Sequence, residues 1–600
     1  MNAAASLVLT LLLGLAIVGL GRAAGARRAP LAWLAGWTIL WWVTALVATV
    51  AGPKWGAGVG LVVACGGLAA WFVTSERRRQ ELLLAAGAAL AGAPFFLTPP
   101  YFYDALVYHL GLPWSWLING SFAPIAHNVF SHFPLAGSTV YLLPVFFGLP
   151  GAAAGLHWLT FCLVLVASWR LARNLGAGRW SWIGPLCMLS CWHGVWLAGV
   201  AGVDQLVVLA TAVAATALLT EDEEYSGATG AGVAVGLGVA TKYTAVLPLG
   251  AVLAAAMVLP GRRRDAIRAA LIGGGLASFW YLRNLLLTGN PVYPVLWKLF
   301  GGAGWTARDA VRWTRTVHEG VGGLWSYWEG FLALGRARSG LGAWLAIAVL
   351  LAVIALYRGR RRAIGRTAFA ASLMVAAWLA TSHTTRYALP LIPLVGALAA
   401  AGVERLDRGP RRVAVAGLLV TCAFGMVLFG QFVLGTLHLQ ELWLGRVEAD
   451  QWRHRVTVND PMPVYRAAGR LLPENARVLV IGEGRPWGCP RPHSVSSPYD
   501  TPLIQTIIEK TGSAAGAARA IRAAGWRDLI INWGELRRLH KSFGIFDLRT
   551  PDDVAAWRGL LDNETTPVWR EGDLEIRRLK SGERHVAGGS PATSGTSSEP

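Results

Sequence analysis

Between residues 6 and 436 the chain is an almost unbroken series of apolar runs, separated by short loops in which arginine recurs. No other feature limits the fold so severely. Inside hydrocarbon every backbone amide and carbonyl must be satisfied by the protein itself, so only helices and closed barrels cross, and about 20 apolar residues make one helical crossing. Charged residues form 15 % of the 600 and apolar residues 54 %, against about 25 % charged in a soluble domain. A soluble enzyme, a disordered scaffold and a nucleic-acid binder with a basic face are thereby excluded. The formal net charge of +20 does not revive the last, because the basic residues sit in clusters between apolar runs, as in cytoplasmic loops. The expectation is an all-α polytopic membrane bundle with a soluble tail.

The basic clusters assign sides. Arg22/Arg27/Arg28, Arg77–Arg79, Arg170/Arg173/Arg179, Arg262–Arg264 with Arg268, Arg358 to Arg366 and Arg405 to Arg412 mark one face, taken as cytoplasmic, while 98–133 contains no lysine or arginine and belongs to the other. The first apolar run lacks a basic segment ahead of it, which favours a true span over a signal peptide. Runs near 31–51, 56–74, 82–97, 181–199, 204–220, 228–241, 243–260, 269–287, 341–357, 367–381, 387–402 and 413–436 then alternate. Residues 134–170, interrupted by Gly148-Leu149-Pro150-Gly151, fit that parity as one net crossing with a broken first part. The total is about 14 crossings, with the tail outside. The run Ala228 to Gly238 predicts close helix contact through small residues. Trp33, Trp37, Trp41, Trp42, Trp114, Trp116, Trp280 and Trp297 fall near span ends and read as headgroup-layer anchors, with Trp114 or Trp116 also a candidate for stacking on a sugar. Cys187, Cys191 and His193 lie close together but read as buried core.

Four units follow. Residues 1–81 are additional N-terminal spans, and 82–436 is the main bundle, with outer loops 98–133 and 288–340 that are long and aromatic enough to hold short interfacial helices. Residues 437–583 show α/β grammar on a small scale: strands at Ala476–Gly482 and Asp528–Asn532 flank a helix at Ser513–Ala524. From 584 the sequence is a low-complexity tail, read as disordered.

Few residues in the outer loops can carry chemistry. Asp104 is the lone acid of Tyr101-Phe-Tyr-Asp-Ala-Leu-Val-Tyr-His-Leu110. It reads either as a capping or solvated loop acid, or as a general base or metal ligand. His109 stands five positions on, off the same α-helical face, and is either an interfacial histidine or a substrate contact; His127 and His132 share the loop. Asp204 opens the next outward turn as a helix cap or as a second acid beside Asp104. Lys242 lies between two apolar pieces, snorkelling or serving the site. Arg283 and Asn284 precede Thr288-Gly-Asn290-Pro-Val-Tyr293-Pro294, and Arg386-Tyr387 precede Ala-Leu-Pro. Two acids and three cations on one side of an apolar bundle suit an anionic lipid headgroup, since arginine meets phosphate with two parallel donors.

In these residues, over about 82–436, the chain resembles the GT-C superfamily of membrane glycosyltransferases, and is similar to the bacterial group related to protein O-mannosyltransferases and lipid A aminoarabinose transferases. The resemblance implies transfer of a sugar from a polyprenyl-phosphate donor to an extracytoplasmic hydroxyl or amine of a glycan, lipid or protein, with inversion, in a bacterial-type inner membrane. It implies Asp104 as the catalytic acid and Asp204 as the acid that follows. His109, Lys242, Arg283, Asn284, Asn290, Tyr293, Arg386 and Tyr387 become substrate-binding candidates. A divalent cation on Asp104 and Asp204 is compatible, and no other cofactor is expected. The chain departs from the mannosyltransferases in carrying Asp104-Ala105 where they carry Asp-Glu, and in its extra spans before residue 82. A lipid or polysaccharide flippase, or a non-catalytic sensor on a degenerate transferase fold, are the alternatives; convergence of the named residues in one outer cavity separates an enzyme from a transport path.

Overall fold

The computed structural model describes residues 2–225, 227–258, 261–317, 323–359 and 361–581. The tail expected to be disordered from 584 lies outside the described residues.

Among the described residues, helices Ala3–Ala23, Ala29–Ala51, Pro53–Thr74, Pro150–Asn174, Arg362–Thr381, Thr385–Glu404 and Arg408–Thr436 are long and apolar enough to cross a membrane. The shorter apolar helices Asp204–Leu219, Gly227–Thr241, Tyr243–Val258 and Trp344–Arg358 run between them, as do Arg78–Phe96 and Arg263–Thr288. The 134–170 region is broken as expected: Ala136–Val140 and Leu142–Phe146 are single turns before the long helix from Pro150. At one end of the bundle the arginine clusters meet their acids. Arg22 donates to Glu81 at 2.8 Å and Arg170 to Asp222 at 2.8 Å, while Arg28 pairs with Glu224 and Arg358 lies 3.7 Å from Asp407. The opposite end carries 98–133, the segment after Thr288, and the C-terminal domain.

Small residues set the helix spacing. A Cβ on Gly232 would lie 2.7 Å from Ile272, and one on Gly236 would lie 2.7 Å from Leu276, so Gly227–Thr241 and Arg263–Thr288 approach at backbone distance. The tryptophans correct one expectation. Trp33, Trp37, Trp41, Trp116 and Trp280 are at most 2 % exposed, packed against neighbouring segments instead of lining the rim. Trp33 donates to Thr160 at 3.1 Å, and Trp41 stacks on Trp280 with centroids 6.2 Å apart.

After Thr436 the chain builds a five-stranded sheet, with β1 Val478–Ile481, β2 His493–Val495, β3 Asp528–Asn532, β4 Thr565–Glu571 and β5 Leu574–Leu579 in the order β2-β1-β3-β5-β4. β1 pairs in parallel with β2 and β3, while β5 is antiparallel to β3 and β4. The two central strands are buried on both faces, which explains their continuous apolar runs. Leu479, Ile481, Leu529 and Ile531 pack on helices 503–511 and 514–523, and Val478, Val480 and Ile530 on helix Met462–Leu471.

This domain sits on both outer segments. Asn119 and His493 exchange two hydrogen bonds, at 2.9 and 3.0 Å, and Ser497 N donates to His127 O at 2.9 Å. From the other segment, Arg312 in helix Ala307–Val317 donates to the carbonyls of Phe543, Tyr499 and Gly544.

Candidate active site

The segment 98–133 carries Asp104, and the next five residues, Ala105–His109, form a π-helical turn closed by Leu110 N to Ala105 O at 2.8 Å. The wider i→i+5 turn changes the phase. His109, off Asp104's face in an α-helix, is thereby brought round to the same site. It is 2 % exposed and its Nδ1 meets Ser138 Oγ at 2.9 Å. Burial, followed by the Lys242 charge, lowers its pKa to about 3, so the ring is neutral. Tyr108 donates to Asp104 Oδ2 at 2.9 Å, and Arg386 donates to the same oxygen. Both bonds fall on Oδ2; among the described residues Oδ1 makes none. Burial opposes the charge on Asp104, yet the Arg386 and Lys242 charges outweigh it and hold the carboxyl below the usual carboxylate range.

A second pair lies beside the first. Lys242 Nζ donates to Asp204 Oδ1 at 2.8 Å, leaving Oδ2 buried and without a partner among the described residues. Lys242 follows helix Gly227–Thr241 in extended backbone, and Asp204 opens helix Asp204–Leu219, so each charge is delivered by a helix end. The Tyr387 ring joins the two pairs: Lys242 Nζ and the Arg386 guanidinium each lie 5.3 Å from its centroid. Arg386 Nε is buried and has no partner among the described residues. Asp104, His109, Asp204, Lys242, Arg386 and Tyr387, drawn from segments far apart in the chain, therefore form one cluster at the end of the bundle that carries the C-terminal domain.

The other expected residues lie elsewhere and brace the site. Arg283 donates to the carbonyls of Ser131 at 3.1 Å and Phe122 at 3.4 Å, and makes no contact with either acid. It ties down the outer loop instead of joining the cations. Asn284 bonds His132 O and the Tyr243 hydroxyl. Asn290, 0 % exposed, closes its own turn through Val295 O and Gly301 O. The carbonyl of Tyr293 accepts from Tyr243 at 2.9 Å, and its ring packs on Trp305. His127 bonds Thr501 O, and His132 lies against Tyr293. Trp116 is core, which removes it as a platform for a sugar, while Trp114 is half-buried and donates its indole N–H to Cys489 O.

The sequence reading missed His157. Its Nε2 accepts from Gln205 N at 3.0 Å and its Nδ1 donates to Val200 O at 2.9 Å, which fixes the turn that launches Asp204. A histidine inside an apolar run was its only signal. Among the described residues no three His, Cys, Asp or Glu could hold a metal ion together. Asp104 and Asp204 are each already paired with a cation, a donor set that does not fit a divalent metal.

No protein-family model matches the chain, and no curated protein matches it. Solved structures do. The crystal structure of ArnT from Cupriavidus metallidurans bound to undecaprenyl phosphate has a TM-score of 0.52 and 15 % identity, covering 84 % of this chain and 98 % of that one. For its apo state the TM-score is 0.54 and the identity 12 %, covering 83 % and 98 %. At such identity it is the fold that is shared: this chain has the GT-C-like architecture, a polytopic membrane bundle carrying a C-terminal domain with a β-sheet.

Proposed function

We propose that the protein is a glycosyltransferase that takes a sugar from a polyprenyl-phosphate donor and passes it, with inversion, to a hydroxyl or amine outside the cytoplasm. The single observation that carries this reading is the convergence of Asp104, Asp204, Lys242, Arg386 and Tyr387 at one end of an apolar bundle. A transport path would string such charges along the bundle. A small apolar pocket lined by Leu247, Pro248, Met374, Trp378 and Leu391 has Tyr387 in its wall. The likeness to an ArnT structure holding undecaprenyl phosphate supports the same donor class.

The chemistry follows from the charges. The donor phosphate meets the unpartnered Nε–H of Arg386 and competes with Asp104 for the guanidinium. As Arg386 turns to the phosphate, Asp104 loses its strongest counter-charge and becomes a better base. The acceptor oxygen or nitrogen attacks the anomeric carbon opposite the phosphate, and Asp104 takes its proton. The sugar–phosphate C–O bond breaks, the electron pair leaves on the phosphate, and Arg386 and Lys242 stabilise that charge. Asp204 holds Lys242 in place, and neutral His109 lines the acceptor side.

The test is release of polyprenyl phosphate from defined lipid-linked sugars by membranes holding the intact protein or its Asp104→Asn variant. Loss of a general base lowers turnover by about 10²–10⁴-fold, with folding retained. Near-normal turnover in the variant rejects the role given to Asp104.

A further inference from the structure

The C-terminal domain grips the segment 98–133 on both sides of Asp104. One residue before it, the Tyr103 hydroxyl donates to Glu535 Oε1 at 3.2 Å. The guanidinium groups of Arg485 and Arg538 lie 5.3 and 5.2 Å from the centroid of the Tyr103 ring, within cation–π range. Two residues after Asp104, Leu106 O accepts from Trp487 N at 3.3 Å. A π turn slips its carbonyls out of the i→i+4 ladder, and here an N–H of the domain meets one of them. The two segments approach closely: a Cβ on Gly111 would lie 3.0 Å from Pro486 Cγ. Further along, Trp114 Nε1 donates to Cys489 O at 2.7 Å.

These contacts are rooted at the strand ends of the domain. Glu483 stands two residues past β1 and Asn532 ends β3, and Asn532 Nδ2 donates to Glu483 Oε2 at 2.8 Å. Arg485, 1 % exposed, donates to Glu483 at 2.7 Å and to the carbonyls of Val458 and Asn459. Glu535 is fully buried and accepts from Arg538 at 2.6 Å and from Asn459 at 3.1 Å. Exchanging a buried ion cluster for apolar groups is often neutral or stabilising, so stability alone does not account for this one. A buried network with its members bonded is, however, rigid, and this one ends on the residue next to Asp104. We infer that the C-terminal domain, through Tyr103 and Trp487 N, holds Asp104 with its carboxylate against Arg386, and that Tyr103 is a positioning residue. The inference rests on the reading of Asp104 as the base and extends it to the domain that keeps the base in place.

The experiment uses the full chain in membranes supplied with undecaprenyl-phosphate hexoses and pentoses, with undecaprenyl phosphate binding measured on the purified chain in detergent. Tyr103→Leu removes ring and hydroxyl. A catalytic group misplaced by about 1 Å costs up to about 100-fold, so kcat falls by about 10–100-fold. Undecaprenyl phosphate affinity and the rate of proteolysis of the C-terminal domain keep their wild-type values, because Arg386 and Lys242 are untouched. The acid limb of the rate–pH profile moves to higher pH, since a carboxylate that loses contact with its cation is more easily protonated. Tyr103→Phe keeps the ring beside both guanidinium groups and loses about 2–10-fold, the worth of one hydrogen bond; it decides the matter where Tyr103→Leu does not accumulate. Wild-type kcat in every variant that accumulates, with Asp104→Asn still impaired, overturns the inference and spares the role of Asp104. A lower kcat with an unmoved acid limb, weaker lipid binding or faster proteolysis assigns Tyr103 a merely structural role and also overturns it. Near-normal turnover in Asp104→Asn overturns the role of Asp104 and the inference together.

Discussion

Removing the Lys242 ammonium is the sharpest test of the electrostatics. Lys242→Met keeps most of the length and apolar stem but takes away the one partner that Asp204 Oδ1 has among the described residues, where Oδ2 has none. Asp204 is 5 % exposed, so water cannot replace the lost contact without opening the bundle. Breaking a buried ion pair from one side costs about 3–5 kcal/mol, because the remaining charge is left uncompensated. The start of helix Asp204–Leu219 offsets about 1 kcal/mol of that through its dipole. The expected loss is therefore about 2–4 kcal/mol. Neutralising the acid as well, in Lys242→Met with Asp204→Asn, removes the stranded charge and leaves a deficit of about 1–2 kcal/mol, that of imperfectly bonded polar groups. Equilibrium denaturation of the purified protein in detergent, run as a double-mutant cycle, reads both numbers. If the double variant is as unstable as the two single variants added together, the acid and the amine are not coupled and the paired cluster is wrong.

Three further outcomes are expected. Burial raises the Asp500 pKa to about 7, with Asp309 adding to the rise and Ser497, Val129 and Arg312 opposing it. Between pH 4 and 7 the folded protein thus holds a proton that the unfolded chain has lost, so stability falls as pH rises through that window and levels off above it. The change is up to about 4 kcal/mol, and thermal denaturation across the range should show the slope vanish in Asp500→Asn. Arg312→Ala strips donors from three carbonyls of the C-terminal domain and should speed its limited proteolysis while the sheet itself stays folded; an unchanged rate counts against Arg312 as a clamp. Gly236→Val puts a side chain where 2.7 Å separates a bare Cβ from Leu276, and overpacking of that kind costs about 1–3 kcal/mol, read as a lowered midpoint in the same denaturation assay.

Much of the bundle was legible in the amino-acid order. Hydropathy over about 20 residues reflects transfer into hydrocarbon, a cost each segment meets on its own, so the apolar runs and the broken 134–170 region could be placed without knowing any neighbour. The arginine loops pair at one end for the same reason: charge is excluded from the layer between. The strands at Val478–Ile481 and Asp528–Asn532 were visible because a sheet covered on both faces requires an unbroken apolar run.

Which polar residues meet is another matter. Asp104, Asp204, Lys242 and Arg386 were candidates as exceptions in apolar surroundings, but Arg283 carried the same signal and is spent on the carbonyls of Ser131 and Phe122. Local sequence cannot separate those two uses of an arginine. The buried tryptophans were misplaced at the rim because burial depends on what packs alongside. The sequence by itself determined which segments must leave water and which charges must stay near the membrane surface, since solvation is priced residue by residue. Only the tertiary structure decided which acid faces which cation, because an ion pair depends on a distance of a few ångströms between atoms that the chain brings together from remote parts of its length.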